Sequence, residues 1–290
     1  MLHFKVDIKK RRGNMTSPPE IVMPERPKSD CDLSEGIVRR TLLEQFPDLE
    51  VEAVDHLGSG WTSDAYLVDG HLVVSFPRNA ELTKWMGLDE AILSMVHSSI
   101  GSVVRVPKIS LKGQGGAHFP HPFVGYELIP GVGADDPRAP DSEGLVPDLG
   151  KVLTHVHSIP LISATRIGLV PEEDDHFSGQ LCFLHGDFMP DNIIVDPDSG
   201  RLVGIIDWGN AAIGDPALDF IWLVLWRGWD FAQSVLDAYQ LPVDEGLVER
   251  VRFHAQIAAV QWLADTVKRG GDQEMHLSWV RNAFSMGGAS

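Results

Sequence analysis

The first organised segment of the chain is a helix with one apolar face. Ser34 is of a residue type that caps helices, and apolar side chains follow at positions 37, 38, 42 and 46 before Pro47. This spacing places the apolar side chains on one side of a helix, and proline ends it. The pattern therefore predicts a packing helix that begins after Ser34 and ends before Pro47.

Three short extended runs come next, at residues 51–57, 65–69 and 71–76, with glycines at 58, 60 and 70 between them. Short strands joined by glycine turns predict an antiparallel meander. Helical spacing of apolar residues predicts a second helix at 88–96. Two further extended segments are predicted at 103–109 and 123–128.

The second half of the chain has a different pattern. A stretch rich in Gly, Pro and Asp at 130–147 interrupts it, a helix is predicted at 149–158, and segments rich in Trp and Leu dominate after residue 220. Strands first and helices later predict an α+β fold with two lobes. The expected division is a flexible basic and Pro-rich tail at 1–33, an N-lobe at 34–129 with an antiparallel sheet and a helix, and a larger, mainly helical C-lobe at 130–290.

Composition narrows the class of partner. The chain has 24 basic and 41 acidic residues, a formal net charge of −17, so it would repel nucleic acid and suit a cationic partner or substrate. The two cysteines, Cys31 and Cys182, are too few and too far apart for a disulfide framework or a zinc cluster, which fits a reducing compartment. The longest apolar run is too short for a bilayer. We expect a cytoplasmic protein, a monomer or weak dimer, without membrane or nucleic-acid partners.

Candidate chemistry collects around a predicted hairpin in the centre of the chain. Two apolar strands flank the turn at 197–200; Asn192 enters the hairpin and Asp207 leaves it, so polar residues gather at its open end. Together with Asp187 they offer hard oxygen ligands and a general base, which suits Mg²⁺ and a phosphorylated substrate better than zinc. The spacing Asp187-x-x-x-x-Asn192 matches a kinase catalytic loop.

The segment from His185 to Phe220 contains His-Gly-Asp, the later Asn, Ile-Asp-Trp and Gly-Asp-Pro-Ala-Leu-Asp-Phe. With these motifs the sequence resembles the aminoglycoside and macrolide phosphotransferase family, small-molecule kinases with a bilobal protein-kinase-like fold. The resemblance covers roughly residues 50–230. It implies a catalytic base, Asp187; two Mg²⁺ ligands, Asn192 and Asp207; two supports of the catalytic loop, His185 and Asp219; and a structural carboxylate, Asp215.

The resemblance also implies a nucleotide site between the lobes. The stretch at 126–131 is similar to the family's hinge, where backbone groups of Glu127 and Ile129 would hold the base. The loop that contains Gly58, Ser59 and Gly60 would cover the phosphates. The donor would be ATP or GTP.

One position departs from the family pattern. Ser75 occupies the place on the third strand where the family has a Lys or Arg that contacts nucleotide phosphates, so Glu90, its expected helical partner, lacks its cation. Arg78 is the nearest substitute, but it would need the strand to end and bend at Pro77; Lys84 is a less constrained one. Ser75 therefore keeps open a catalytically silent nucleotide-binding protein.

The acceptor is less well defined by the sequence. An acidic run at 172–175 would attract a polycationic aminoglycoside or is a solvated loop, and four tryptophans would line a macrolide pocket or belong to the core: Trp222, Trp226, Trp229 and Trp262. The expected activity is Mg²⁺-dependent transfer of the γ-phosphate of a nucleoside triphosphate to a hydroxyl of a small molecule. An antibiotic, aminoglycoside before macrolide, is the expected acceptor; the alternatives are a metabolic small-molecule kinase and the silent binder.

Overall fold

The N-terminal half is built around a five-stranded antiparallel sheet. A computed structural model describes residues 25–171 and 179–285 of the 290-residue chain. The strand order is β1-β2-β3-β5-β4. The strands are β1 (Val54–Ser59), β2 (Ser63–Val68), β3 (Leu72–Pro77), β4 (Ile109–Gly113) and β5 (Phe123–Glu127). The predicted meander of the first three strands is confirmed.

Both helices predicted in this half are present. Helix α1 (Glu35–Gln45) begins where Ser34 Oγ accepts a hydrogen bond from the Ile37 N–H. Its Val38 and Leu42 are fully buried and share a hydrophobic core with Val74 and other residues of the sheet. Helix α2 (Met86–Ile100) follows a short 3₁₀ turn.

The extended segment predicted at 103–109 is wrong in position. Strand β4 begins only at Ile109, and before it only Arg105 forms an isolated bridge, with Gly204. Pro107 has no N–H to offer a sheet ladder, which explains why the strand begins after it. The shift brings Lys112 into the sheet.

The second half is mainly helical and carries the predicted hairpin. Helix α3 (Leu145–His157) begins before the predicted residue 149, with Pro147 in its first turn, where a missing N–H has no cost. The remaining elements are β6 (Val132–Gly133), α4 (Leu161–Arg166), β7 (Cys182–Leu184), β8 (Ile193–Val195), β9 (Leu202–Ile205), β10 (Ala212–Gly214), α5 (Ala217–Arg227), α6 (Trp229–Ala238), α7 (Leu247–Arg269) and α8 (Glu274–Phe284).

Helix α2 joins the two halves. Its inward residues Ile92, Val96 and Ile100 belong to the larger hydrophobic core, with α3 and α5, rather than to the core of the five-stranded sheet. The helix therefore packs on the elements of the second half, while its Glu90 forms an ion pair with Lys112 of β4. In the part of the chain that the structure describes, no helix combines the length and apolar character needed to cross a bilayer.

The amino-terminal segment corrects the predicted tail. Residues 25–33 are bound along the sheet: Arg26 Nη2 donates to Gly60 O at 2.6 Å, the Asp30 N–H donates to Arg78 O at 2.9 Å, and Tyr66 Oη donates to Leu33 O at 3.1 Å. A flexible tail over all of 1–33 is thus wrong for residues 25–33. Residues 1–24 lie outside the described residues, and the other lobe boundaries stay predictions.

Candidate active site

The hairpin brings the predicted polar residues to one end. Strands β8 and β9 pair Ile193 with Ile205 and Ile194 with Gly204. Asn192 directly precedes β8, and Asp207 follows β9 by two residues, so both lie at the open end of the hairpin. The Ile206 N–H donates to Asn192 O at 3.0 Å, which closes the ladder there.

The buried carboxylate of Asp219 organises the loop that carries Asp187. It accepts hydrogen bonds from the backbone N–H of His185 at 2.9 Å and of Gly186 at 2.8 Å. The ring of His157, also buried, lies 3.1 Å from its Oδ2. Burial alone would raise the pKa of Asp219, but the His157 hydrogen bond and these N–H groups hold it below its usual value.

His185 is held as a neutral ring. Burial lowers its pKa, although the charge of Asp219 opposes the shift. Its Nε2 lies 2.9 Å from Ile206 O, and its Nδ1 accepts the N–H of Asp187 at 3.2 Å. Because a carbonyl only accepts, the proton must sit on Nε2. The ring therefore fixes the backbone on both sides of the site, and its role as a support of the catalytic loop stays a prediction.

Asp187 lies half-buried at the centre of this loop. Its Oδ2 accepts a hydrogen bond from Asn210 Nδ2 at 3.3 Å, and its carbonyl accepts Asn192 Nδ2 at 2.9 Å. Burial, together with the charges of Asp207 and Asp191, raises the pKa of Asp187 to about 7. Because the amide nitrogen of Asn192 is turned toward the loop, its oxygen is the atom left for a cation.

Further carboxylates that the sequence analysis did not single out converge on Asp207. Burial and the charge of Asp207 raise the pKa of Asp89, on α2, to about 6. Partial burial and the charges of Asp135 and Asp207 also raise the pKa of Asp191. Mutual repulsion of this kind means that the site favours either protons or metal cations.

Two residues of the site, Asp207 and Gly186, have left-handed backbone conformations. Asp207 has φ 58° and ψ 66°, a left-handed conformation that is costly for a residue other than glycine. Gly186 has φ 79°, and a Cβ added there would lie 2.0 Å from Asn210 O. The loop therefore requires glycine at 186, because the backbone there passes very close to the backbone of Asn210.

Asp215 holds the following helices rather than the reaction centre. Its Oδ1 accepts the N–H of Ala217 at 3.0 Å, which caps the start of α5. Its Oδ2 forms an ion pair with Arg250 Nε of α7 at 2.6 Å, at a position only 4% exposed for the Asp215 side chain. This geometry fits the structural carboxylate that the resemblance implied.

The hinge residues follow β5. Glu127 pairs with Leu72 at the strand end, and the Leu128 N–H donates to His71 O at 2.7 Å. In an extended chain neighbouring groups point to opposite sides, so the backbone groups of Glu127 and Ile129 face away from that bond.

The glycine loop joins β1 to β2 as predicted. The Gly60 N–H donates to Ser63 O at 2.8 Å and closes the turn. The Ser59 hydroxyl donates a hydrogen bond to the Asp64 carboxylate, and its oxygen lies 3.2 Å from His56 Nε2. Ser59 therefore has only its backbone N–H to offer a phosphate, as does Gly58.

Two residues, Arg78 and Lys84, are the candidate substitutes for the missing cation. Neither lies on the face of the sheet that carries Ser75. Arg78 Nη1 forms an ion pair with Asp64 Oδ1 at 3.1 Å, and its Nε donates to Pro27 O at 2.9 Å. Asp64 pairs with Phe76, a core residue on the face opposite Ser75, so Arg78 is on the wrong side of β3. Lys84 forms an exposed ion pair with Glu81.

The cation that meets Glu90 comes from another strand. Lys112 Nζ on β4 forms an ion pair with the Glu90 carboxylate on α2. Ser75 pairs with Val124, and Val124 pairs with Lys112, so the three residues form one cross-strand row. Directly paired residues share a face of an antiparallel sheet, so Lys112 shares the face of Ser75. The sequence pattern does not indicate this role for Lys112, because it predicts the fourth strand before Ile109.

Two features of the sequence, the four tryptophans and the acidic run at 172–175, are candidates for the acceptor site. Trp222 and Trp229 are buried core residues, and Trp226 and Trp262 pack against the same core. Trp222 and Trp229 therefore belong to the core, Trp226 and Trp262 are partly exposed at its edge, and a macrolide pocket stays a prediction. The acidic run at 172–175 lies outside the described residues.

Comparisons with known proteins agree with this geometry. The profile described as "Phosphotransferase enzyme family" matches residues 162–254. The GDP and kanamycin complex of APH(2")-IIia superposes with a TM-score of 0.69 at 21% identity, covering 85% of this chain and 96% of that one. Macrolide 2'-phosphotransferase MphH from Brachybacterium faecium gives 0.62 at 16% identity, covering 88% and 98%.

Matches to curated sequences cover small parts of those proteins. The uncharacterized protein YcbJ of Bacillus subtilis is 38% identical over 50 residues, 17% of this chain and 16% of that protein. The chain covers between 9% and 20% of the length of the acyl-CoA dehydrogenase family members that it also matches.

The fold is similar to that of small-molecule kinases with a protein-kinase-like architecture. The chain is similar to the phosphotransferase enzyme family over its catalytic segment, and its structure is similar to aminoglycoside and macrolide phosphotransferases. The resemblance and the bilobal α+β fold expected from the sequence are confirmed, and the same findings support the expected enzyme class, a phosphotransferase with an alcohol group as acceptor.

Proposed function

We propose that this protein transfers the γ-phosphate of ATP or GTP to a hydroxyl of a small cationic molecule, with Asp187 as the catalytic base. The observation that carries the proposal is the convergence of Asp187, Asn192 and Asp207 at the open end of one hairpin, on a loop fixed by Asp219. This is the arrangement that phosphoryl transfer needs, because its chemistry consists mainly of positioning and charge stabilisation.

Asp187 is suited to accept the proton of an attacking hydroxyl. In the metal-free site, burial raises its pKa to about 7, so the carboxylate is a stronger base than an exposed aspartate. Asn210 holds one oxygen of the carboxylate, which leaves the other to face the acceptor. Gly186 and His185 keep the loop in the strained turn that presents it.

The residues present fit a Mg²⁺ site. Asp207 and the amide oxygen of Asn192 are hard oxygen ligands. Burial, and after it the repulsion between neighbouring carboxylates, raises the pKa values of Asp187, Asp191 and Asp89, and a bound divalent cation would relieve that repulsion. When bound, Mg²⁺ would neutralise charge on the nucleotide phosphates. Asp207 and Asn192 would hold it.

Lys112 supplies the cation that Ser75 cannot. Two strand spacings, about 10 Å, separate the backbones of these residues, and a lysine side chain spans more than half of that distance. Glu90, on α2, orients the Lys112 ammonium on the face where the nucleotide would lie. This ion pair favours an active kinase over the silent nucleotide-binding protein that Ser75 suggested.

The acceptor that fits best is an aminoglycoside. The net charge of −17 and the carboxylates around Asp207 favour a polycation, and the similar structures include complexes with kanamycin, gentamicin and streptomycin. A metabolic amino alcohol or amino sugar has the same chemistry and is the in-class alternative. The protein would act where nucleotide and Mg²⁺ are supplied, the cytoplasm.

The test is a measurement of product mass and nucleoside diphosphate release with Mg²⁺ and ATP or GTP, across aminoglycosides, macrolides and amino sugars. Asp187→Asn is the variant expected to be inactive. Asp198→Asn makes the same change in the exposed turn of the hairpin and serves as the matched control. We expect a phosphorylated product with the wild type and Asp198→Asn and none with Asp187→Asn, which should still bind nucleotide. Equal traces of product in all three proteins would contradict the kinase, and nucleotide binding without any product would favour the silent binder.

A further inference from the structure

A second group of ligand-type side chains lies on the N-lobe, on the segment that the sequence predicted to be a loose tail. Asp30 and Cys31 meet His121, which precedes β5; we call these three residues the Cys31 cluster. Cys31 Sγ lies 3.7 Å from His121 Nε2 and 3.1 Å from Asp30 Oδ1, and His121 Nε2 lies 2.8 Å from the same Oδ1. The three ligand atoms thus all lie within 4.8 Å of one another.

The chemistry and the spacing of these atoms suit a tetrahedral zinc ion. A thiolate, an imidazole nitrogen and a carboxylate oxygen are the three kinds of ligand that Zn²⁺ takes in proteins. With usual bond lengths, a tetrahedral ion separates sulfur from nitrogen by about 3.6 Å, sulfur from oxygen by about 3.5 Å and nitrogen from oxygen by about 3.3 Å. The observed distances differ from these by a few tenths of an ångström, so small outward movements of the side chains would admit the ion.

Two of the three ligands are already fixed in place. The Asp30 N–H donates to Arg78 O at 2.9 Å, and its Oδ2 accepts the N–H of Ala80 at 3.1 Å, so Oδ1 is turned toward the cluster. The ring of His121 packs edge-on against Phe119, a buried core residue, with 5.3 Å between centroids. Outer contacts of this kind orient metal ligands and reduce the entropy lost on binding.

We propose that Asp30, Cys31 and His121 form a binding site for one Zn²⁺ ion, with water in the fourth position. On binding, the Sγ–H bond of Cys31 breaks and its proton goes to solvent while the sulfur forms the bond to zinc. His121 binds through the Nε2 lone pair with its proton on Nδ1, and Asp30 binds as the carboxylate. No oxidation change is involved.

The thiol proton of Cys31 is firmly held without a metal. Burial, together with Asp30 and Asp32, raises the pKa of Cys31 to about 11. The same negative charges that disfavour a free thiolate favour a divalent cation beside it.

The site goes beyond the proposed kinase chemistry. It ties residues 25–33 to the end of β3 and to the start of β5, and the same segment carries Arg26, which binds Gly60 O of the glycine loop. A bound ion would therefore stabilise the N-lobe as a unit, independently of Asp187.

The probe is Co²⁺, which replaces zinc and gives a near-ultraviolet absorption band when a thiolate ligates it. Purified protein, stripped with a chelator, is titrated with Co²⁺ in excess Mg²⁺, and Zn²⁺ is then added to displace the band. The variants are Cys31→Ser and His121→Gln. The matched control is Cys182→Ser, at the other cysteine, and Asp187→Asn separates this site from the kinase site.

We expect one equivalent of Co²⁺ with a thiolate band in the wild type, Cys182→Ser and Asp187→Asn, and a thermal midpoint that rises with Zn²⁺. Cys31→Ser should lose the band, and His121→Gln should bind at least about tenfold more weakly. Absence of a thiolate band in the wild type, or an equal band in Cys31→Ser, would overturn the proposal. Should Cys182→Ser fail to fold, the thermal midpoint replaces it as the test. Zn²⁺ should raise the midpoint of the wild type and not that of Cys31→Ser, and equal rises in the two proteins would overturn the proposal.

Discussion

Asp219 and His157 form a buried pair behind the catalytic loop, with His157 Nε2 3.1 Å from Asp219 Oδ2. The carboxylate also accepts two backbone N–H groups of the loop, while His157 Nδ1 lies 2.8 Å from Tyr239 Oη. One side chain thus links α3, α5 and the loop that presents Asp187. The position of the proposed base depends on this pair, although neither residue reaches the reaction centre.

Asp219→Asn should lower the free energy of unfolding by about 3 kcal/mol, because it leaves a buried hydrogen-bonded pair incomplete. The folded pKa of Asp219 lies below its unfolded value, so its stabilisation is present above the unfolded pKa, about 3.9, and is lost as pH falls through the folded pKa. Urea unfolding at pH 7 and at pH 3 measures both effects. Asp55→Asn, at an exposed carboxylate of β1, is the control; equal losses in the two variants would contradict the role of the pair.

Gly186→Ala tests the close approach in the catalytic loop. The added Cβ would lie 2.0 Å from Asn210 O at a positive φ, so we expect a loss of about 3 kcal/mol or more in the free energy of unfolding. Gly70→Ala is the matched control, because Gly70 has φ 69° with no heavy atom within 4 Å of the added Cβ and should lose only about 1 kcal/mol. Chemical denaturation compares the two, and similar losses would mean that the contact with Asn210 is relaxed.

The part of the site that local sequence determines was predictable. Asp187, Asn192 and Asp207 lie on or beside one hairpin, whose short apolar strands and turn fix where its ends meet. Their convergence therefore follows from residues near one another in the chain.

The rest depends on long-range pairing that local pattern does not determine. Lys112 reaches the face of Ser75 only because β4 begins at Ile109, and this start follows from pairing with β5. Asp89 comes near Asp207 because α2 packs on the core of the second half, a choice made by the buried residues of both halves. The binding of residues 25–33 is not predictable for the same reason, since a polar segment can be held by hydrogen bonds to the loops and strand ends of a sheet, which its own composition does not reveal.

Asp187 should make the protein less stable as pH rises when no divalent cation is present. Its folded pKa, about 7, lies above the unfolded value of 3.8, so between these pH values the folded state holds a proton that the unfolded state has released. Stability then falls with rising pH in that window. Because asparagine cannot ionise, Asp187→Asn should be more stable than the wild type at pH 8 by roughly 1 to 3 kcal/mol, and little different at pH 4.

Guanidinium unfolding across this pH range in chelator measures the difference, with Asp198→Asn as the control at an exposed carboxylate. Added Mg²⁺ should stabilise the wild type more than Asp187→Asn at pH 8, since the cation neutralises the charge that destabilises the site. Parallel stability curves for the wild type and Asp187→Asn would show that Asp187 ionises in the folded protein as easily as in water.

Lys112→Ala tests the relocated cation. If Lys112 stabilises charge on the nucleotide phosphates, its loss should lower kcat/KM by about 10²-fold, the usual effect of removing one charge-stabilising group, with little change in thermal midpoint, because the ion pair with Glu90 is exposed. Lys108→Ala, at an exposed lysine just before β4, is the matched control.

In the Lys112→Ala protein, adding Ser75→Lys restores a cation from the third strand to the same face and should recover most of the loss. Steady-state kinetics with the acceptor identified in the product screen gives the comparison. Equal rates for Lys112→Ala and Lys108→Ala would remove Lys112 from the mechanism, and a loss that Ser75→Lys does not recover would mean that the Glu90 pair only positions α2.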